Sequence, residues 1–219
     1  MKVFLGKASV KNGIWMYFLQ FFNAVIPLMT LPYITRILGA EQYGIFSIAL
    51  NIVTYLQVLV EYGFGMSATR KIALAEKKDL SKLFSSVLYA RSFLLFVSLM
   101  ISLSYNFVHK SNTQLTISLA ILLICLLGYS VQMDWVFQGK QEMKYISIVN
   151  IISRTISVIG IFAFVRTAED LFLYCFLYSV SPLLSGFVGL FIAKKKYKLN
   201  LRKLHMHEIY NEIKDGWFV

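Results

Sequence analysis

Charged residues are scarce in this sequence. Aspartate, glutamate, lysine and arginine make up 15% of the 219 residues, whereas a soluble domain carries about 25%. Hydrophobic residues make up 58% of the chain, and the mean hydropathy is +0.64. This composition excludes an ordinary soluble domain and predicts an all-α polytopic membrane protein.

The residues that carry most soluble-enzyme chemistry are also rare. Cys125 and Cys175 each lie in the middle of an apolar run, outside any disulfide framework or metal-ligand spacing, so we assign them to packing. His205 and His207 are two residues apart and do not share a helical face, which argues against a metal site. The sequence also lacks a glycine-rich phosphate loop, a Walker lysine and a metal motif. We therefore expect no enzyme activity, no cofactor and no bound metal.

Apolar runs long enough to cross a bilayer, roughly 20 residues each, occur six times. The runs are 13–37, 45–66, 83–108, 115–137, 146–165 and 171–193. The first run contains Gln20, Asn23, Pro27 and Pro32, and no small-residue cleavage site follows it, so we interpret it as an uncleaved span. Short loops predict antiparallel neighbours, and the longest loop, 67–82, is expected to be partly helical.

Positive charge is concentrated on one side of the predicted spans. The net charge is +11, and 17 of the 22 Lys and Arg residues lie in the loops on the side of the N-terminus. Arg36, Lys110 and Arg166 lie on the other side, and Arg91 and Arg154 lie within spans. An excess of cations in alternate loops marks the cytoplasmic side of a membrane protein. We therefore expect a cytoplasmic N-terminus and no binding of nucleic acid.

The predicted organisation has three parts. Residues 1–193 form a six-span lobe, 194–215 form a basic and amphipathic cytoplasmic linker, and 216–219 begin a truncated seventh span. Apolar residues at helical spacing near the linker predict an amphipathic helix at the membrane interface: Met206, Ile209, Tyr210, Ile213 and Trp217. The unfinished seventh span leads us to expect a fragment of a longer transporter.

Polar residues within the apolar runs fall on narrow helical faces. The faces are Gln20, Asn23, Pro27 and Thr30 in the first run; Ser47, Asn51, Thr54, Glu61 and Gly65 in the second; Arg91, Ser98, Ser102 and Tyr105 in the third; and Ser147, Asn150, Arg154 and Ser157 in the fifth. Because polar groups inside a membrane usually face a bundle interior or an aqueous cavity, the stripes predict a polar cavity. Hydrogen bonds that join packed helices are the alternative interpretation.

Four charged residues lie inside the runs, in the half nearest the basic loops: Arg91, Arg154, Glu61 and Asp134. A guanidinium group pairs two oxygens at once and stays charged at any depth, so the two arginines are candidate phosphate-binding residues. The two acids are candidates for ion coupling or for pairing with the arginines. The candidate uncharged substrate contacts are Asn23, Asn51 and Asn150. Snorkelling of the four charges to the headgroups is the alternative.

Two prolines interrupt the first run. Pro27 and Pro32 each remove a backbone donor and strain the preceding helical turn. In a transporter such a position allows a helix to bend between states, so both are candidate hinges. A static kink is the alternative interpretation.

Three segments together carry a resemblance to a known family. They are LPYITRILGAEQYGIFSIA, LVEYGFGMSATRKIA and DWVFQGKQEMKYISIVNIISR. In this order they resemble the O-antigen and polysaccharide flippases of the multidrug/oligosaccharidyl-lipid/polysaccharide exporter superfamily. The matched positions are Pro32, Tyr33, Arg36, Gly39, Tyr43, Gly44, Tyr62, Gly63, Phe64, Ser67, Ala68, Arg70, Trp135, Gln138, Gly139 and Met143.

The resemblance covers the whole chain but only the N-terminal one of the family's two helical lobes. It implies export of undecaprenyl-pyrophosphate-linked oligosaccharide units across the bacterial inner membrane for O-antigen or surface polysaccharide assembly. The implied partners are the lipid-linked oligosaccharide and membrane lipids, and the polysaccharide polymerase machinery is a candidate. A drug/cation antiporter of the same superfamily and an inactive membrane fragment are the alternatives.

Overall fold

The computed structural model describes residues 2–76, 79–109, 112–202 and Lys214. In this part of the chain every regular element is helical, which confirms the all-α prediction. The helices are α1 (Lys2–Glu61), α2 (Phe64–Leu74), α3 (Leu80–His109), α4 (Thr113–Leu122), α5 (Ile124–Ser130), α6 (Asp134–Gly139), α7 (Met143–Phe164) and α8 (Leu171–Tyr197). A short 3₁₀ turn, Ala168–Asp170, leads into α8.

Helix α1 is a hairpin of two limbs that meet at Gly39. This glycine has φ 74° and ψ 171°, a backbone conformation that favours glycine. Asn12 Nδ2 donates to Gln141 O over 2.7 Å, and Lys140 Nζ donates to Ile72 O over 3.1 Å, so the start of the hairpin and helix α2, which follows its second limb, reach the same turn. The Tyr33 hydroxyl, near the hairpin tip, donates to Val165 O over 2.9 Å at the far end of α7.

These contacts define two ends of the bundle. We call the end with the turn at 139–142 the basic end and the end with Gly39 and Val165 the distal end. Five helical stretches of the described chain are long and apolar enough to cross a membrane, and the first, Val10–Leu74, has 65 residues. A straight helix of that length would extend about 100 Å, several times a bilayer core. Because it folds back at Gly39, five stretches accommodate the six predicted runs, and the chain is a multi-pass membrane protein.

Two of the predicted runs are broken rather than continuous. The second run stops at Tyr62 and Gly63, whose φ values are 38° and 77°, and α2 begins beyond them. The fourth run is divided into α4, α5 and α6, with an irregular stretch at 131–133 between α5 and α6. Hydropathy averaged over a whole run does not reveal either break, although the polar residues Glu61 and Gln132 lie there. The expectation that 67–82 is partly helical is confirmed, since α2 continues to Leu74.

The two breaks lie side by side, because the helices beyond them pack together. A Cβ atom added to Gly139 on α6 would lie 2.5 Å from Ile72 Cγ2 on α2 and 2.9 Å from Thr69 O. The adjoining core at the basic end is built from fully buried aromatic residues, including Phe64, Phe84, Trp135 and Phe137. A second buried cluster fills the distal half and includes Phe46 and Tyr174.

Helix α8 continues past the predicted lobe boundary at residue 193 and ends at Tyr197. The chain then turns at Lys198 (φ 53°), and Leu199 is buried. Asn200 N donates to Ser81 Oγ over 3.3 Å and Arg202 N donates to Ser85 Oγ over 2.9 Å, so this segment crosses the start of α3. Apart from Lys214, the predicted interfacial helix and residues 216–219 lie outside the described residues.

A charged cluster joins the start of α7 to the end of α8 at the basic end. Glu142 forms an ion pair with Lys196 and accepts a 2.6 Å hydrogen bond from the Tyr197 hydroxyl. Lys196 Nζ lies 4.2 Å from the centroid of the Tyr145 ring. Burial acts to raise the pKa of the Glu142 carboxyl, but the hydrogen bonds from Lys196 and Tyr197 and the charges of Lys196 and Lys144 together outweigh it, so its pKa lies below the ordinary value.

This cluster predicts an acid-sensitive contribution to stability. Because the folded pKa of Glu142 is lowered, its contribution is present above the ordinary pKa of 4.5 and is lost as the pH falls through the folded value. Glu142→Gln should destabilise the protein by less than about 1 kcal/mol at pH 7, since the pair is partly exposed. Thermal unfolding in detergent should show this deficit shrinking at pH 4. An equal deficit at both pH values would contradict the assignment.

Candidate functional site

A cavity of about 430 Å³ lies inside the lobe, between both limbs of α1 and helices α5, α7 and α8. A volume of this size is typical of small-molecule sites. One part of its wall is polar and is formed by Asn23, Thr30, Gln132, Asn150, Arg154, Ser157, Ser181 and Ser185. Another part is aromatic and is formed by Tyr43, Phe46, Tyr129, Tyr174 and Tyr178.

Arg154 supplies the positive charge of this cavity. It projects from α7, and its Nη1 donates to Asn23 Oδ1 on the first limb of α1 over 2.6 Å. Among the described residues, no Asp or Glu lines the cavity with it. The guanidinium group is therefore held by a neutral amide, which leaves its charge uncompensated at the cavity wall. Such an arrangement suits recognition of an anionic group.

Asn150 lies one helical turn before Arg154 and joins α7 to α8. Its Nδ2 donates to Ile146 O over 2.9 Å, and its Oδ1 accepts a 3.0 Å hydrogen bond from Ser185 Oγ. One turn beyond Arg154, Ser157 Oγ donates to Leu177 O over 2.6 Å. The polar face predicted for the fifth run therefore both lines the cavity and fixes the neighbouring helix.

The two candidate hinge residues lie differently with respect to the cavity. Pro27 lines it, whereas Pro32 is exposed and outside its wall. Because proline has no N–H, the Asn23 carbonyl loses the donor that an ordinary residue at position 27 would supply. Pro27 therefore weakens the first limb at the turn that presents Asn23 to Arg154. Whether either proline acts as a hinge stays a prediction.

Arg91 lies behind the cavity, at the break between α5 and α6. Its side chain is 5% exposed, and Nη1 donates to Gln132 O over 2.9 Å and to Tyr129 O over 3.4 Å. Tyr129 is in the last turn of α5 and Gln132 is in the irregular stretch just beyond it, where the helix dipole is negative. Because Tyr129 and Gln132 both line the cavity, Arg91 positions two wall residues without lining the wall itself.

The two intramembrane acids accompany Arg91. Both interact electrostatically with Arg91. Asp134 accepts a 2.9 Å hydrogen bond from Gln132 Nε2, and Glu61 accepts one of the same length from Gln57 Nε2. Neither lies in the cavity wall. The predicted charged set is therefore divided into Arg154 in the cavity and an Arg91–Glu61–Asp134 group at the two helix breaks.

Asn51 lies outside the cavity. It is exposed on the second limb of α1, next to Thr54 and Tyr55, and Tyr55 is 79% exposed. Asn51 and Thr54 share an exposed face, as the helical phasing predicted, but at this level of the limb that face points away from the lobe interior. Any contact of Asn51 with substrate would therefore occur on the outer surface of this lobe.

Comparison with known proteins assigns the family. A profile of the family described as polysaccharide biosynthesis protein matches residues 9–219. The chain belongs to this family. Two curated relatives carry the name "Putative O-antigen transporter". The one from Escherichia coli (strain K12) is 29% identical over 95% of this chain and 51% of its own length, and the one from Shigella dysenteriae is 26% identical over 94% and 52%.

The chain thus spans about half the length of the curated relatives it matches. No solved structure matches it. Within the residues that the structure describes, no three His, Cys, Asp or Glu side chains come together as metal ligands.

Several residues that match the family pattern have structural roles in this lobe. Gly39 and Gly63 have positive φ values at the hairpin tip and at the first break, and Gly139 allows α6 to approach α2. The Tyr33 hydroxyl binds carbonyls at the end of α7. Tyr43 is the matched position that lines the cavity.

The sequence reasoning missed the polar face of the sixth run. Tyr174, Tyr178, Ser181 and Ser185 follow i, i+4, i+7, i+11 spacing on α8, and all four line the cavity. This stripe was detectable by the same phasing that identified the others. It was missed because tyrosine among leucine and phenylalanine reads as an apolar residue.

Proposed function

We propose that this chain forms the N-terminal lobe of an exporter that moves lipid-linked oligosaccharide units across the bacterial inner membrane for O-antigen or surface polysaccharide assembly. The family assignment and the names of its relatives support a transporter rather than an enzyme. The concentration of lysine and arginine at the basic end supports a cytoplasmic location for that end and for the N-terminus.

The observation that carries the proposal is the uncompensated Arg154 in a membrane-embedded cavity. An anionic ligand would satisfy the guanidinium group and gain charge-assisted hydrogen bonds. In a lipid-linked oligosaccharide the pyrophosphate is the anion, and Arg154 with Asn23 would contact it while the polyprenyl chain stays in the lipid. A drug/cation antiporter would need an acidic cavity, and the described wall residues include a cation and no carboxylate.

Bending of the first limb would change access to this site. Pro27 weakens the limb next to Asn23, so a bend there would alter the Asn23–Arg154 contact directly.

The other polar residues would have supporting roles. The charged group at the paired helix breaks would hold them together and offer carboxylates for coupling to a proton or cation; it consists of Arg91, Glu61 and Asp134. The exposed polar face with Asn51 would meet a second lobe, since the relatives are about twice as long as this chain. The polymerase machinery would receive the exported unit.

A variant of Arg154 tests this proposal. Arg154→Gln, placed in the chromosomal gene that encodes this chain, should reduce surface polysaccharide about tenfold or more, because a charged hydrogen bond to the ligand is lost. Arg154→Lys should restore part of it, since the charge returns without the planar fork. Polysaccharide is measured on intact cells at equal membrane protein levels.

Arg166→Gln is the matched control, because Arg166 is exposed at the distal end and outside the cavity. It should leave polysaccharide unchanged. Normal polysaccharide in the Arg154→Gln strain would contradict the proposal.

A further inference from the structure

The aromatic part of the cavity wall contains four tyrosines from three helices. Tyr43 comes from the second limb of α1, Tyr129 from α5, and Tyr174 and Tyr178 from α8. Tyr178 lies close enough to Tyr43, Tyr129, Tyr174 and Arg154 to interact with each of them electrostatically. The four phenols, which we call the tyrosine quartet, therefore converge on the space next to the guanidinium group.

The hydroxyl groups of the quartet have no hydrogen-bond partner among the described residues. None of the four hydroxyl oxygens is among the described atoms that are both fully buried and unpaired. Each hydroxyl oxygen therefore remains accessible from the cavity. Because an unsatisfied hydroxyl in an apolar environment is costly, four of them around one space indicate a ligand or solvent that supplies hydrogen bonds.

The rings that carry these hydroxyls are held firmly. The centroid of the Phe46 ring, which is 2% exposed, lies 4.5 Å from that of Tyr174 and 5.4 Å from that of Tyr178. Tyr43 packs against the same phenylalanine with a centroid distance of 5.9 Å. The phenols are thus fixed before any ligand enters, which lowers the entropy lost on binding. Tyrosine offers an apolar ring and a polar hydroxyl to the same ligand.

We propose that the tyrosine quartet is a saccharide subsite of the cavity. Its hydroxyls would bind the hydroxyl groups of a neutral sugar ring, and its rings would contact the apolar face of that ring. Arg154 would hold an anionic group beside it. This inference rests on the proposed function and adds that the lobe itself recognises sugar, in a cavity sized for a short saccharide segment.

Saturation-transfer difference NMR tests the subsite with the whole purified protein in detergent. The probes are glucose, galactose and N-acetylglucosamine, which carry no charge and therefore test the tyrosine hydroxyls without the anionic group. The double variant Tyr174→Phe/Tyr178→Phe removes two hydroxyls and keeps both rings, so its packing and thermal unfolding should be unchanged. We expect the dissociation constant of at least one probe to rise about tenfold.

Two control variants separate this subsite from the rest of the protein. Tyr89→Phe alters a tyrosine beside exposed Phe93 and Phe96 on α3, outside the cavity, and should leave sugar binding unchanged. Arg166→Gln, which alters an exposed residue at the distal end and outside the cavity, should also leave the binding of neutral sugars unchanged. Absence of saturation transfer from the unmodified protein, or equal binding by the double variant, would overturn the subsite.

Failure of the saccharide subsite can be distinguished from failure of the export proposal. If Arg154→Gln cells keep normal polysaccharide while neutral sugars still require the tyrosine hydroxyls, export fails and the subsite stands. If Arg154→Gln cells lose polysaccharide while the double variant binds sugar and exports normally, export stands and the subsite fails.

Discussion

Gly128→Ala is expected to prevent the lobe from reaching its native packing. A Cβ atom at this position on α5 would lie less than 3.0 Å from Pro182 O, Pro182 C and Leu183 N of α8, all of which are backbone atoms. Backbone cannot rotate away as a side chain can, so the two helices would have to separate. Membrane helices associate through close packing of small residues. We expect a loss of about 3 kcal/mol or more, at the upper end for overpacking, measured by thermal unfolding and by the monodisperse yield in detergent.

Gly13→Ala is the matched control for this effect. Gly13 lies in the first limb of α1, and a Cβ atom there would meet nothing within 4 Å. Because alanine is a better helix former than glycine, this variant should be neutral or stabilise the protein by about 0.5–1 kcal/mol. Equal unfolding temperatures for the two variants would contradict the close approach of α5 and α8 at Gly128.

Arg91→Met is expected to have the second largest effect on stability. Methionine fills similar space but removes the donor to Gln132 O at the break between α5 and α6, while Tyr129 O keeps the bond from Gln132 N. Each buried group left unsatisfied costs about 1–3 kcal/mol, and Glu61 and Asp134 lose the cation with which they interact. We expect a total loss of about 3 kcal/mol or more, measured by thermal unfolding in detergent.

Arg91→Lys provides the graded comparison. Lysine keeps the charge but cannot reproduce the planar fork, so its unfolding temperature should lie between those of the unmodified protein and Arg91→Met. A normal unfolding temperature for Arg91→Met, combined with loss of surface polysaccharide, would instead assign Arg91 to direct substrate binding, as the sequence alone suggested.

The predictions that rest on hydropathy agree most closely with the structure. The apolar runs and the polar turn around Gly39 were sufficient to predict the hairpin and the membrane. Helical phasing also placed Asn23 and Arg154 on polar faces, and the structure brings these two side chains together. Both predictions depend on local periodicity, which neighbouring helices do not alter.

The remainder of the site depends on how the helices pack. Helical phasing placed Arg91 and Arg154 on equivalent polar faces. Because α5 lies between Arg91 and the cavity, Arg154 lines the cavity wall, whereas Arg91 supports the wall from behind. Phasing likewise gave Asn51 and Asn150 similar settings, although Asn51 faces outward. The quartet could not be assembled from sequence, because Tyr43, Tyr129 and Tyr174 belong to three separate helices.

Under the export proposal, Arg154 would hold the anionic group of a lipid-linked oligosaccharide during its passage across the membrane. The most direct test measures, in spheroplasts, the fraction of lipid-linked oligosaccharide that a membrane-impermeant label reaches from outside. We expect this fraction to fall about tenfold in Arg154→Gln cells, with accumulation on the cytoplasmic side, and to be normal in Arg166→Gln cells. Equal labelling in the two strains would contradict the proposal.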